Sequence, residues 1–216
     1  MRQKRGPRST WAKLLLFAVG IAAFYASYYL GNRYARVTPE FLNLSVLEKP
    51  QPIAPLELLD QYGNLFKQQR LSGHWNLVIF GYTGSDALLQ EGLALITQVK
   101  NRLAIHPELQ RITRAIVITV DPNVDSPERL KRFMHRFSPD FLALTGSTGQ
   151  IDTIAQLLGV TMRHIPNADN TGYRIDHSSS IALIDPDVAL VGLFTGIVDA
   201  ASIAADITKL ARDRAE

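Results

Sequence analysis

The chain has no cysteine among its 216 residues. That absence excludes thiol–disulfide exchange, a stabilising disulfide, and metal ligation through thiolate sulfur. It also excludes a lipoprotein signal, because the lipid is carried on a Cys. Internal repeats and low-complexity segments are missing too. A domain built this way stands on its apolar core alone, and 46 % hydrophobic residues supply one for a chain of this size.

A basic surface for nucleic acid is equally lacking. The formal charge is +3, but Arg2, Lys4, Arg5, Arg8 and Lys13 hold five of the 23 basic side chains, leaving 18 against 20 acidic ones in the rest. No basic stripe remains to track phosphates, and nucleic acid is not an expected partner. After the basic flank of residues 1–10 comes the one long apolar run, residues 11–30, whose only charge is Lys13. Twenty such residues suffice for a membrane-spanning helix. Trp11 at one end and Tyr25, Tyr28 and Tyr29 at the other suit the interfacial aromatic belt, and the basic flank places the N-terminus on the cytoplasmic side. A cleaved signal peptide is the competing reading, disfavoured by the length of the run and the lack of an A-x-A site. The short basic N-terminus, without an Arg- and Ser-rich presequence, points to the bacterial inner membrane with a periplasmic domain; the mitochondrial inner membrane is the alternative.

Residues 31–55 read as a spacer, with Pro39, Pro50, Pro52 and Pro55 discouraging regular structure. The domain is expected over 56–216. A short hairpin turns at Gly63. Asn76 to Phe80 and Ala115 to Val120 are apolar runs suited to strands buried on both faces. Between them Leu89, Leu93, Ile96, Val99 and Leu103 recur at helical spacing, with Ser85 or Asp86 as N-cap. Pro127 opens a second helix, on which Met134 reads as core and His135 as surface. Phe141 to Leu144 is a short strand, and Thr148 to Leu158 a helix stopped by Gly159. Thr161 to Ile175 reads as a long surface loop. Two antiparallel strands then flank Asp185-Pro186-Asp187, and a helix over Ala200 to Arg212 closes the chain. This order predicts an α/β fold, a thioredoxin-like mixed sheet flanked by helices.

Four stretches carry a resemblance: FGYT at Phe80 to Thr83, ITVDPNVDSPERL at Ile118 to Leu130, FLALTGSTGQI at Phe141 to Ile151, and DHSSSIALIDPD at Asp176 to Asp187. In this order behind a single N-terminal span, they resemble the SCO/SenC family of membrane-anchored, thioredoxin-like copper chaperones for cytochrome c oxidase. The likeness covers about Leu56 to Leu210. The family pattern has two Cys separated by three residues after the FGYT turn, completed by a distant His. The resemblance puts the cysteine positions on Ser85 and Leu89 and the His on His177.

Two thiols at i and i+4 on a first helical turn share one face, where the helix dipole favours thiolates that bind soft Cu(I). Ser85 offers a hard hydroxyl and Leu89 no donor. His177 alone is one imidazole and reads as a vestigial or structural histidine. Met162 and His164 precede it and could rebuild a copper site with it. Ser85 as a nucleophile with His177 as base lacks a third residue to orient the imidazole, so no enzyme is expected. Asp121-Pro122 and Asp125 read as turn and capping residues. Trp75, Phe80 and Tyr82 read as packing, with a docking surface as the alternative. The reading is therefore a membrane-anchored accessory factor without a cofactor, assisting cytochrome c oxidase assembly through contacts with an oxidase subunit or another assembly factor. The alternative is a copper metallochaperone using Met162, His164 and His177.

Overall fold

The computed structural model describes residues 10–34, 41–84, 86–166 and 173–214. The chain divides into two units, Met1–Glu40 and Phe41–Glu216. In the first, helix α1 runs from Thr10 to Tyr34, and its stretch Trp11–Leu30 has a mean hydropathy of 1.5. At about 1.5 Å per residue, this stretch is long and apolar enough to cross a hydrocarbon core.

The second unit is a mixed α/β domain. Its strands are β1 (Leu44–Pro52), β2 (Glu57–Asp60), β3 (Leu65–Lys67), β4 (Trp75–Gly81), β5 (Thr113–Thr119), β6 (Leu142–Thr145), β7 (Met162–Pro166), β8 (Tyr173–His177), β9 (Ile181–Ile184) and β10 (Ala189–Phe194). Helices α2 (Asp86–Arg102), α3 (Pro107–Ile112), α4 (Pro127–Met134), α5 (Thr148–Leu157) and α6 (Ala200–Asp213) connect or follow them. Eight strands form one sheet in the order β1-β10-β9-β4-β5-β6-β2-β3, while β7 and β8 form a separate hairpin. β4, β5 and β6 are parallel, and β9 pairs antiparallel with β4.

The two-residue alternation of a strand divides the core between the two faces of the sheet. Leu77, Ile79, Ala115, Val117 and Ala143 pack with α2, α4 and α6 on one side. Val78, Phe80, Ile116, Ile118 and Leu144 pack with α5 on the other. This is why all seven residues of β4 are buried. The helix starts follow local chemistry. Pro127 occupies the first turn of α4 behind a Ser126 cap, Ser147 and Gln150 form a capping box at α5, and Asp199 accepts the amides of Ala201 and Ser202 at α6. The helix with the Leu89 to Val99 stripe begins at Asp86, while Ser85, its other cap candidate, lies outside the described residues.

Two expectations differ from this architecture. The supposed spacer of residues 31–55 contains β1, so folded structure begins near Phe41 rather than Leu56. Pro50 and Pro52 are tolerated because β1 is an edge strand and its register against β10 shifts between Val46 and Gln51. A Cβ at Gly192 would lie 2.6 Å from the Ser45 carbonyl oxygen, so the close approach of β10 to β1 requires glycine there. The supposed loop from Thr161 to Ile175 contains β7 and the start of β8. Ile175 is buried and Met162 packs against the α5-side core, which gives the hairpin its hydrophobic hold.

Two carboxylates fix the ends of this sheet. Asp206 of α6, buried, accepts the backbone N–H groups of Leu42, Asn43 and Leu44 at 2.9 to 3.0 Å, clamping the chain where it joins the domain. Asp60 accepts the amides of Tyr62 and Asn64 across the β2–β3 turn and pairs with Arg70 at 2.9 Å. Burial works to raise the Asp60 pKa, but the Arg70 hydrogen bond and the two amides together outweigh it and hold the group below its ordinary 3.8. A carboxylate depressed in the folded state stabilises above its unfolded pKa, and that contribution disappears as pH falls through the folded value.

Asp206→Ala is expected to cost about 2 to 3 kcal/mol in urea unfolding, because it strips three amides of their acceptor. Acidification below about pH 4 is expected to lower stability, and Asp60→Asn to flatten that part of the pH profile. An unchanged slope in the variant would remove Asp60 from the acid response.

Candidate functional site at the end of β4

The turn after β4 carries the site. Gly81 ends the strand, and a Cβ there would lie 3.1 Å from Leu89 Cδ1, so the first turn of α2 is packed directly onto the strand end. Tyr82, Thr83 and Gly84 follow. Asp125, completely buried in the loop after β5, pins this turn. Its carboxylate accepts the Thr83 N–H at 3.0 Å, the Thr83 hydroxyl, and the Thr119 hydroxyl at 2.7 Å. Arg129, one turn into α4, stands 3.6 Å from the same carboxylate and donates to the Thr83 hydroxyl. A buried carboxylate of this kind persists because its oxygens are fully occupied. Asp125 is thus more than a turn residue: it ties the β4 turn to β5 and α4.

A second strut acts on the hairpin. The Tyr173 hydroxyl, at the start of β8, lies 3.0 and 3.1 Å from the two oxygens of Asp121, in the same loop as Asp125. Donation to Asp121 raises the Tyr173 pKa, with burial adding to the effect, so the hydroxyl stays protonated.

The topology then brings distant positions together. Because β9 runs antiparallel to β4 with Val78 opposite Ala182, the residues preceding β9 pass beside the β4 end. His177 and Leu89 consequently line one cavity of about 280 Å³ together with Leu88, Leu95, Ile197 and Val198. Leu89 is 2 % exposed, whereas Leu88 is 56 % exposed and Ile197 fully so. His177 Nδ1 is 3.3 Å from the Ser178 carbonyl oxygen. A carbonyl only accepts, so Nδ1 carries the proton in this contact and Nε2 is the nitrogen left for another partner. In the lining of the cavity the Ser180 hydroxyl is buried, with no hydrogen-bond partner among the described residues.

Of the other candidates, Ser85 lies outside the described residues. Met162 faces His177 across the hairpin and His164 faces Ile175, with the His164 side chain outside the described ones. Met162 lines a different cavity, beside Asp152 and Gln156 of α5. Met134 is core and His135 exposed, matching their reading from sequence. Trp75 and Phe80 are core, while Tyr82 is partly buried. The residues that sequence reasoning passed over are Leu88 and Ile197, which give the cavity its apolar rim, and Tyr173. The available signal was an Ile directly after a turn-favouring glycine, Gly196-Ile197.

A mixed sheet with this turn at the β4 end and a His beside it defines a thioredoxin-like domain of the Sco type. Yeast Sco1 with copper bound superposes with a TM-score of 0.67 at 26 % identity, covering 76 % of this chain and 90 % of that one. Bradyrhizobium japonicum ScoI with copper bound gives 0.63 at 28 % identity, covering 73 % and 98 %. A SCO2-like protein of Rickettsia prowazekii is 32 % identical over 180 residues, 80 % of this chain and 82 % of that protein. The SCO1/SenC family model matches residues 46–212, and the chain belongs to this family.

The residues present do not fit copper held through two thiolates, the ligation that the family pattern implies. Leu89 has no donor atom, no thiol exists in the chain, and no group of three or more His, Cys, Asp or Glu that could hold a metal occurs among the described residues.

Asp125→Ala is expected to cost about 3 kcal/mol and to raise amide hydrogen exchange in the turn around Thr83, since it leaves three donors without an acceptor beside Arg129. Native-like exchange at Thr83 in this variant would show that the clamp does not hold the turn.

Proposed function

We propose that this chain is a membrane-anchored SCO-type accessory factor for cytochrome c oxidase assembly, acting through protein contacts without copper or redox chemistry. The observation that carries the reading is Leu89. The position the family pattern gives to the second cysteine is an apolar side chain packed against the strand end, in a cavity whose rim is Leu88 and Ile197. An apolar recess beside this turn suits a partner's side chain better than a soft metal ion. The assembly role rests on membership in the SCO1/SenC family. The partners are an oxidase subunit or another assembly factor. In this reading α1 is the anchor, its basic N-terminal flank on the cytoplasmic side and the domain in the bacterial periplasm.

The second reading is a copper metallochaperone using Met162, His164 and His177. It is favoured by the register that sets Met162 directly opposite His177. The two readings separate in a Cu(I) competition titration against a chromophoric chelator. The first expects no competitive binding by the native chain. One-to-one binding lost in His177→Ala would overturn it and establish the second.

Restoring the thiols tests the scaffold from the other side. Ser85→Cys with Leu89→Cys is expected to confer one-to-one Cu(I) binding that weakens when His177→Ala is added. The Leu89 substitution is expected to cost about 2 kcal/mol of stability for the shortened core side chain. A doubly substituted protein that folds yet binds no Cu(I) would mean that the turn no longer presents these positions together.

A further inference from the structure

The recess beside His177 holds one group that its apolar walls do not account for. Among the described residues that line it, Glu91 is the only one with a permanent charge. It is exposed on the second turn of α2 and makes no ion pair or side-chain hydrogen bond among the described residues. The cations of its own helix, Lys100 and Arg102, lie in the last turn, the nearer about two and a half turns further on. Leu88, Glu91 and Leu95, spaced by three and four, share one face of α2, so the carboxylate sits between two apolar side chains.

Ile197 and Val198, between β10 and α6, contribute a second wall, and His177 joins the lining from the end of β8. Because His177 Nδ1 donates to the Ser178 carbonyl, Nε2 is a lone-pair acceptor. The recess thus combines apolar walls with two acceptors, a carboxylate and a ring nitrogen, and its described lining carries no cation. That combination discriminates between occupants. An acidic segment would meet Glu91 with like charge, and an aliphatic side chain would leave Nε2 without a donor. An indole is apolar over its body and a donor at its edge, so it suits the walls and Nε2 together, while a neighbouring cation suits Glu91.

We propose that the recess takes a tryptophan side chain of a partner protein, from a segment in which Lys or Arg flanks the Trp, with the indole N–H donated to His177 Nε2 and the flanking cation set against Glu91. The proposal rests on the reading of this chain as an accessory factor acting through protein contacts. A protein segment is favoured over a small molecule by Leu88 and Ile197, which stay exposed at the rim. A continuous chain covers such a rim and keeps water from the anchor, whereas a molecule confined to the recess leaves it bare.

The test varies the ligand, so the native fold is untouched. The full chain, carrying isotope-labelled Ile and Leu methyl groups in a zwitterionic detergent, is titrated with short blocked peptides built around Lys-Trp-Lys. The expected result is a shift of the Leu88, Leu89 and Ile197 methyl resonances, with Ile105, exposed just past the other end of α2, unmoved. Affinity is expected to fall about fivefold when Glu replaces the flanking Lys or when the protein carries Glu91→Gln, and high salt to narrow that difference. Naphthylalanine in place of Trp keeps an aromatic bicycle and removes the N–H, for an expected loss of about fivefold; Ala in its place abolishes binding. No shift at Ile197, equal shifts at Ile105, equal binding of Lys- and Glu-flanked peptides, naphthylalanine matching Trp, or tryptamine alone binding as tightly as the peptide would each overturn the proposal. None of these outcomes touches the accessory-factor reading, which is decided by the Cu(I) titration. One-to-one Cu(I) binding through His177 would remove both.

Discussion

A single carboxylate organises the region on which function turns. Asp125 has no exposure to solvent, yet it joins the turn after β4, the end of β5 and the start of α4 through Thr83, Thr119 and Arg129. The penalty of burying a charge is offset only when every oxygen is occupied, and here each is. Once Thr83 is held, the chain must leave β4 at one angle, and Leu89 arrives on Gly81. The position of His177 follows from a different constraint, the antiparallel pairing of β9 with β4, supported by the Tyr173 to Asp121 strut.

These devices are independent of sulfur. The turn, its clamp, the imidazole of His177 and the hairpin are all built in a chain without cysteine. A metal site and the scaffold that presents it are therefore separable, because the scaffold is held by backbone pairing, buried carboxylates and packing rather than by the metal–ligand bonds. Leu89 is itself part of that packing. It buries apolar area at the junction of α2 with β4, against Gly81.

How much of this could be read beforehand depended on the range of the interaction involved. β4 and β5 were legible because strands covered on both faces become unbroken apolar runs, and α2 because Leu89, Leu93, Ile96 and Val99 repeat at helical spacing. β1 was hidden by Pro50 and Pro52, whose cost vanishes at a bulged sheet edge, something only the tertiary arrangement shows. The β7–β8 hairpin was hidden by its polar composition, since one buried Ile175 carries most of its hold. At the site, His177 and Leu89 were found through the resemblance, and the described structure sets both in one cavity. The roles of Asp125 and Asp206 could not be found this way. Asp125 acts on Thr83, 42 positions away, and Asp206 on backbone amides more than 160 positions away, and sequence spacing says nothing about either pairing.

The bulged, proline-bearing β1 has a consequence for how the protein behaves among copies of itself. An open sheet has two free edges, each a template onto which another chain can add a strand. Here one edge is β1, interrupted between Val46 and Gln51 and carrying two residues without an amide hydrogen. The other is β3, only three residues long, ending in Lys67 paired with Glu57. Neither edge offers a long, regular ladder. A domain with no disulfide to restrain partial opening is thereby shielded from strand exchange and edge-to-edge aggregation, and the prolines that looked like spacer residues serve as its guard against self-association.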